Sequence, residues 1–209
     1  MNDPYPASEF DDWAPQYDHD VRTVGFPFAG YEHTLKKIVR SAAPQAGMRV
    51  LDLGAGTGNL STLFLAAGCS VTALDYSAEM LKIARAKHPQ ATYLQADLRS
   101  APASYLPQQS FERIVSAYTF HHFPLSEKCR ILQAFLPSLA PDGRFVIGDI
   151  AFGDAAAKRA AREAAGAEWD EEEYWLAEEA LEFLARQQFN GTFLPTSFCA
   201  GVFTVTPRA

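Results

Sequence analysis

A basic excess, paired cysteines and long apolar runs are all missing from this 209-residue chain. Eighteen lysines and arginines stand against twenty-five aspartates and glutamates, a formal net charge of −7. A nucleic-acid binder needs a basic track to neutralise phosphates; none is visible, so no nucleic-acid partner is expected and the substrate reads as a small molecule. The three cysteines, Cys69, Cys129 and Cys199, are odd in number and widely spaced, with no Cys-x-x-Cys. They read as reduced thiols of a cytoplasmic protein, without a catalytic or metal role. No run approaches the ~20 apolar residues of a membrane span. The opening Met1-Asn2-Asp3-Pro4-Tyr5 lacks the charged and apolar regions of a signal peptide. A chain of this length buries roughly 70% of its unfolded surface, so it needs no disulfide staples.

What the chain does carry is concentrated in Val50-Leu51-Asp52-Leu53-Gly54-Ala55-Gly56-Thr57-Gly58-Asn59. An apolar strand reaches an aspartate and then meets three glycines at every second position. Glycine lets the backbone turn sharply while a ligand lies against the peptide plane. Asp75 follows 17 residues after Gly58, at the end of a second apolar run, Ser70-Val71-Thr72-Ala73-Leu74. Loop and carboxylate together are the sequence form of a βαβ nucleoside site. A dinucleotide fingerprint needs its third glycine at position 59, where this chain has Asn59. That residue argues against a nicotinamide dehydrogenase.

Apolar strands alternate with helical segments, which predicts an α/β fold with a parallel sheet covered on both faces. The strands are expected at Arg49–Leu53, Ser70–Asp75, Thr92–Gln95, Phe111–Ala117 and Arg144–Ile150, the last entered through a turn at Pro141-Asp142-Gly143. Helices are expected at Asn59–Ala67, at Ala78–Lys87 with Ser77 as cap, and from Ser126 onward with the stripe Ile131, Leu132, Phe135, Leu136 and Leu139. Two more, Ser8–Val21 and Tyr31–Ala43, precede the first strand. Asp154–Gln188 reads as mostly helical and broken near Gly166, with a later stripe of Tyr174, Ala177, Leu181 and Leu184. Its acidic run, Asp170–Glu173, reads as a solvated helix start. Thr192–Thr206 alternates as two short strands, and Pro195 keeps one of them off the sheet centre.

The motifs of the glycine loop, of Leu74-Asp75-Tyr76-Ser77-Ala78-Glu79-Met80-Leu81 and of Gln95-Ala96-Asp97 come in the order of the class I S-adenosylmethionine-dependent methyltransferases, which the chain resembles. Phe111–His122 and Leu139–Phe145 look like that family's next two motifs. Phe10-Asp11-Asp12-Trp13-Ala14-Pro15-Gln16-Tyr17-Asp18 and Gly30-Tyr31-Glu32-His33 resemble a narrower group, the small bacterial YrrT-type methyltransferases. The resemblance implies a Rossmann-like, mostly parallel seven-stranded sheet with an antiparallel final strand. It also implies one domain over 1–209: a helical lid (1–45), a cofactor core (46–152), a helical insert (153–190) and C-terminal strands (191–209).

S-adenosylmethionine is the cofactor this resemblance implies. It carries no phosphate, so the glycine loop serves as a flat cradle for its methionine part, closest at Gly54 and Gly56. Asp52 is placed to face the ligand's ammonium, Asp75 to accept from two ribose hydroxyls and Asp97 from the adenine amino group, with capping of the next turn as the alternative for Asp97. Tyr76 and Met80 are expected to flank ribose and adenine. Tyr17, Ala55, Asn59, Ala96, Leu98 and Ala117 complete the expected cofactor contacts. Trp13 and Tyr17, four apart on the leading helix, share a face that suits a lid, and an aromatic face attracts a sulfonium. Tyr31 is a weaker candidate for closing the same cavity.

Methyl transfer asks chiefly for alignment and water exclusion. Ser116-Ala117-Tyr118-Thr119-Phe120-His121-His122-Phe123 takes the position that faces the methyl. It lacks both the Asn/Asp-Pro-Pro-Tyr/Phe pattern and a Pro-Cys nucleophile. His121, His122 and Tyr118 are the catalytic candidates, imidazole being the group that titrates near neutrality. Packing and backbone hydrogen bonding are the alternative role for the two histidines. No metal is expected, on the view that adjacent histidines point apart and no carboxylate sits at ligand spacing. The expected activity is methyl transfer to a small acceptor, by a monomer or homodimer without nucleic-acid or membrane partners. A non-catalytic protein that binds S-adenosylmethionine or S-adenosylhomocysteine is the alternative.

Overall fold

The structure, a computed structural model, describes residues 6–22, 25–170, 172 and 174–208. Two helices, α1 (Ala7–Asp20) and α2 (Tyr31–Ala42), lead into strand β1 (Arg49–Leu53) and helix α3 (Asn59–Ala66). Then come β2 (Ser70–Asp75), α4 (Ala78–Lys87), β3 (Thr92–Gln95), β4 (Phe111–Ala117), α5 (Leu125–Phe135) and β5 (Leu139–Phe152). The chain closes with α6 (Ala155–Ala165), β6 (Trp175–Leu176), α7 (Ala177–Arg186), β7 (Phe189–Pro195) and β8 (Ala200–Pro207).

The strands lie in the order β3-β2-β1-β4-β5-β8-β7. All neighbouring pairs from β3 to β5 are parallel, and β8 runs antiparallel between β5 and β7. The final strand is thus the antiparallel one, as its resemblance implied, and the Pro195 strand is the sheet edge. Strand order reverses between β1 and β4, and such a switch opens a crevice at the carboxyl ends of the strands.

Continuous apolar strands such as Val50-Leu51 and Ile114-Val115 are buried because both faces are covered. One face holds Ile38, Phe64, Val71, Val115 and Val146; the other holds Ile131, Leu132, Phe135, Phe145 and Leu184. The Ser77 hydroxyl accepts from the Met80 N–H at 3.1 Å and caps α4, the role its position predicted. The cysteines are all free and buried.

The seven-stranded order stands as the resemblance implied, and two other expectations need correction. A short additional strand, β6, pairs in parallel with the end of β5. This two-residue strand lies inside the stretch read as helical and has no alternation of its own. Tyr174 consequently sits off α7; it packs against Phe26, Phe152 and Trp169. Finally, Pro141-Asp142-Gly143 is not a separate turn: β5 already pairs at Leu139, and the extra residues are absorbed by a register shift opposite Phe111 and Arg113. A bulge accommodates surplus chain without ending a strand.

The core makes a direct prediction. Phe135→Ala empties a fully buried site and should cost about 3–5 kcal/mol. Phe198→Ala, 47% exposed, should stay within ~0.5 kcal/mol. Urea midpoints at constant m-value measure both.

Candidate functional site

A cavity of about 630 Å³ opens at the carboxyl ends of the parallel strands, within the usual range for small-molecule sites. The glycine loop forms its floor. Gly54 has φ +66°, and a Cβ there would lie 2.3 Å from the Thr119 side chain. At Gly56, φ +52°, a Cβ would instead meet no clash, only ordinary van der Waals contact with Tyr17 and Met80 at 3.9 and 4.0 Å. A left-handed backbone without a side chain and with room above it is what a flat ligand portion requires.

Asp75 ends β2 and is 7% exposed. Its Oδ2 accepts from the Gly56 N–H at 2.8 Å and its Oδ1 from the Ser77 N–H at 2.9 Å. Each oxygen keeps lone-pair capacity for a second donor. Burial pushes its pKa up to about 6, against the N–H groups of Ser77, Gly56 and Tyr76. Tyr76, Met80, Ala96, Asp97, Leu98 and Ala117 line the same cavity. Asp97 lines the cavity and takes the capping role named as its alternative, accepting from the Arg99 N–H at 2.8 Å, with the Arg99 guanidinium on the same carboxylate.

Asp52, Ala55 and Asn59 do not line the cavity. Asp52 is 1% exposed beneath the loop, its Oδ2 accepting from Ser61 Oγ at 2.6 Å while Oδ1 is buried without a protein partner. Burial pushes its pKa up to about 7, opposed by the Ser61 hydroxyl and reinforced by the charge of Asp75. The Ala55 N–H is spent on the Leu74 carbonyl. Asn59 donates to Asp18 at 3.0 Å and turns its amide toward the lid.

Helix α1 covers the cavity with Phe10, Trp13 and Tyr17, and the Trp13 and Tyr17 rings meet edge to face at 4.8 Å. Two carboxylates two turns apart, nearly in line on the helix, pin it down. Asp11 accepts from Ser77 Oγ at 2.6 Å and from the Glu79 N–H at 3.2 Å. Asp18 accepts from Thr57 Oγ1, Asn59 and Lys87. Against the opposing effect of burial, those bonds hold Asp18 below the usual carboxylate range. Tyr31 is one layer back, buried against Tyr118 at a ring separation of 5.0 Å.

The expectation that the two histidines point apart is overturned. Their ring centroids are 4.0 Å apart, because Phe120–His122 form a tight 3₁₀ turn. His121 Nδ1 lies 2.7 Å from Asp149 Oδ1, and His122 Nδ1 lies 3.7 Å from Glu172. Burial and the neighbouring His121 charge lower the pKa of His122. Carboxylates therefore do stand beside the pair, yet no group of three potential ligands for a metal occurs among the described residues. Tyr118 also lines the cavity, at φ +52° and with its ring buried; burial raises its pKa.

Three further contributors escape the sequence. Asp170 and Glu172 line the cavity although their run, of which residues 171 and 173 lie outside the described residues, reads as a solvated helix start; among the described residues no helix begins there. Asp149 lies near the end of β5, as Asp52 lies near the end of β1 and Asp75 ends β2, and a carboxylate late in an apolar strand was the signal available.

The strand order, the glycine loop and the strand-end carboxylate around one cleft define the class I Rossmann-like methyltransferase architecture. Comparison with known proteins agrees. A family profile described as a methyltransferase domain matches residues 50–143. An uncharacterised methyltransferase of Oceanobacillus iheyensis is 36% identical over 154 residues, covering 72% of this chain and 69% of that protein. The YrrT methyltransferase of Halobacillus halophilus is 31% identical over 196 residues, covering 90% and 87%. Among solved structures, a DhpI–SAM–HEP complex superposes with a TM-score of 0.74 at 19% identity, over 96% of this chain and 95% of the other. The chain belongs to the YrrT-type class I S-adenosylmethionine-dependent methyltransferases, with S-adenosylmethionine as methyl donor.

The buried Asp52 yields a test of the empty protein. Its folded pKa of about 7 lies above the unfolded value of ~3.9. Its contribution is therefore complete below pH ~4 and is lost as pH rises through about 7. The stability difference Asp52→Asn minus wild type should grow in the variant's favour by up to ~1.4 kcal/mol per pH unit across that window. Urea unfolding at pH 4.5 and 7.5 measures it; a constant difference would place the ionised carboxylate in a favourable setting.

Proposed function

We propose that the protein methylates a small acceptor held between the α1 lid and the His121–His122 turn. The observation that carries this reading is one continuous cavity that joins the glycine loop and Asp75 to the lid aromatics and both histidines. When bound, S-adenosylmethionine supplies a methyl group already activated on a positively charged sulfur. The side-chain-free, left-handed backbone at Gly56 and the remaining lone pairs of Asp75 fit such a ligand. Gly54 and Gly56 would lie under its methionine part, Asp75 would accept from its ribose, and Tyr76, Met80, Ala96, Asp97 and Leu98 would frame its adenine. Tyr17 and Ala117 would close around the sulfur. Asp52, Ala55 and Asn59 then act from behind, shaping the loop.

The acceptor half is walled by Phe10, Trp13, Phe28 and Tyr118, with Glu9, Asp170 and Glu172 among its polar groups. Apolar surface with carboxylates suits a compact neutral or cationic acceptor and repels an anionic one. His121 serves as the proton acceptor, while His122, held low by burial, packs on Phe10 at 5.4 Å and orients the acceptor. Three free thiols support a cytoplasmic setting; no helix among the described residues is long and apolar enough to cross a membrane.

S-adenosylhomocysteine at about 100 times its dissociation constant should stabilise the protein by ~2.7 kcal/mol, and NADH should not. Its affinity should also climb as pH rises through about 6, where Asp75 ionises and becomes a pure acceptor for the ribose hydroxyls. Asp75→Ala should cost roughly 10- to 100-fold in affinity, from one or two charged hydrogen bonds of about 1.5–3 kcal/mol each. Calorimetry at pH 5 and 8 reads all three effects. An affinity that ignores both pH and Asp75→Ala would remove Asp75 from the site.

The lid adds a second expectation. Removing residues 1–21 should depress turnover far more than S-adenosylhomocysteine affinity, because α1 walls the acceptor half. A truncated protein with full activity would reject that role.

A further inference from the structure

Asp149 is fully buried near the end of β5, and its carboxylate is saturated with donors. Oδ1 accepts from the Ile150 N–H at 2.9 Å and faces His121 Nδ1 at 2.7 Å. Oδ2 accepts from the His121 N–H at 2.9 Å and from Trp175 Nε1 at 3.2 Å. Trp175 stands on β6, and the buried Lys128 ammonium lies over its ring at 4.7 Å. The two-residue strand that interrupts the helical insert thus delivers a donor to this carboxylate. Burial works against ionisation, but His121 and then Lys128 hold Asp149 below the usual carboxylate range.

An ionised carboxylate only accepts, so the shared proton resides on His121 Nδ1. In a neutral imidazole the other nitrogen is then the acceptor, and His121 is among the residues that line the cavity. The other charged or titratable groups around the ring are His122 on the same turn, Asp170 and Glu172 from the segment before β6, and Lys128 on α5.

We propose that Asp149 is a positioning residue that fixes His121 in the Nδ1–H tautomer and so reserves Nε2 for the proton of a hydroxyl-bearing acceptor. The inference rests on the methyl-transfer reading above and names its acceptor class. The hydroxyl oxygen gains the methyl group, the bonding pair stays with the departing sulfur, and the hydroxyl proton passes to Nε2. The positive charge that began on sulfur ends on the imidazolium, beside the Asp149 carboxylate.

The four bonds foretell what an isosteric change does. In Asp149→Asn the amide nitrogen must replace one oxygen. At Oδ2 it would confront two N–H donors, those of His121 and Trp175. At Oδ1 it confronts one, Ile150, and can donate to His121 Nδ1 if the ring moves its proton to Nε2. The second arrangement is the better one, so the substitution should reverse the tautomer and place a proton where the lone pair is needed. In the serine-protease triad the equivalent change leaves the geometry intact and costs about 10⁴ in kcat through the wrong tautomer.

The test is two-bond ¹H–¹⁵N spectroscopy of the histidine rings in the full chain at pH 9, assigned with His121→Gln. Wild type should show an exchange-protected, downfield Nδ1–H at His121, and Asp149→Asn should show Nε2–H. A wild-type Nε2–H, or an Asp149→Asn ring that keeps Nδ1–H, overturns the proposal. Should the variant fail to fold, the wild-type spectrum decides, since an absent downfield Nδ1–H is enough to reject it. Calorimetry with S-adenosylhomocysteine keeps the readings apart. Wild type that binds the ligand but has the wrong tautomer refutes only the role of Asp149, whereas wild type that fails to bind refutes the methyl-transfer reading.

Discussion

Burying Asp75 is the constraint on which the cofactor half of the cavity depends. A carboxylate taken out of water needs N–H donors close by, and at the end of β2 they come from the glycine loop and from the start of α4. The bonds from Gly56 and Ser77 therefore join the two walls of the cleft through one side chain. Ser77 extends the chain of dependence, because its hydroxyl caps α4 and donates to Asp11 on the lid. The lid is thereby linked through one residue, Ser77, to Asp75. Its second anchor, Asp18, draws on Thr57 and Asn59 of the glycine loop. Both anchors of α1 thus fall on elements that must be ordered for the cleft to exist.

A similar solution recurs near the ends of β1 and β5. Asp52 is met by Ser61 alone and is driven toward protonation. Asp149 is met by four donors and a buried ammonium nearby, and stays ionised. Burial is nearly equal at the two sites, so the neighbouring charges, His121 and Lys128 beside Asp149 but Asp75 beside Asp52, decide together with the donors which carboxylate keeps its charge. The site accordingly has one carboxylate held for proton chemistry and one that serves as packing beneath the loop.

The cofactor half was legible because its information is local. Glycine spacing, the strand before it and Asp75 in register lie within one βαβ unit, and the Gly54 and Asp75 geometry follows from backbone rules. The Ser77 cap was legible for the same reason. Asp52, Ala55 and Asn59 were assigned to the ligand because their spacing is right; what spacing lacks is direction. Asp52 points under the loop because Ser61 on α3 offers it a donor there. The Asn59 amide turns to Asp18, more than forty residues earlier in the chain. The acceptor half depends on distant pairs throughout. Asp149 meets His121 across 28 residues, and Trp175 reaches them from a strand too short to leave a periodic trace.

That difference is physical as well as informational. A cofactor shared across a family fixes the loop and the strand-end carboxylate, so those residues recur as motifs with set spacing. An acceptor is recognised by whatever the inserts and the lid bring over the cleft, and their sequences answer only to helix propensity and burial. Asp170 and Glu172 show the consequence: two acids of a run that satisfies the rules for a solvated helix start are part of a cavity wall just before β6 pairs with β5. The parallel pairing of Ala151 with Trp175 and of Phe152 with Leu176 holds that segment in place and delivers the indole N–H to the carboxylate behind His121.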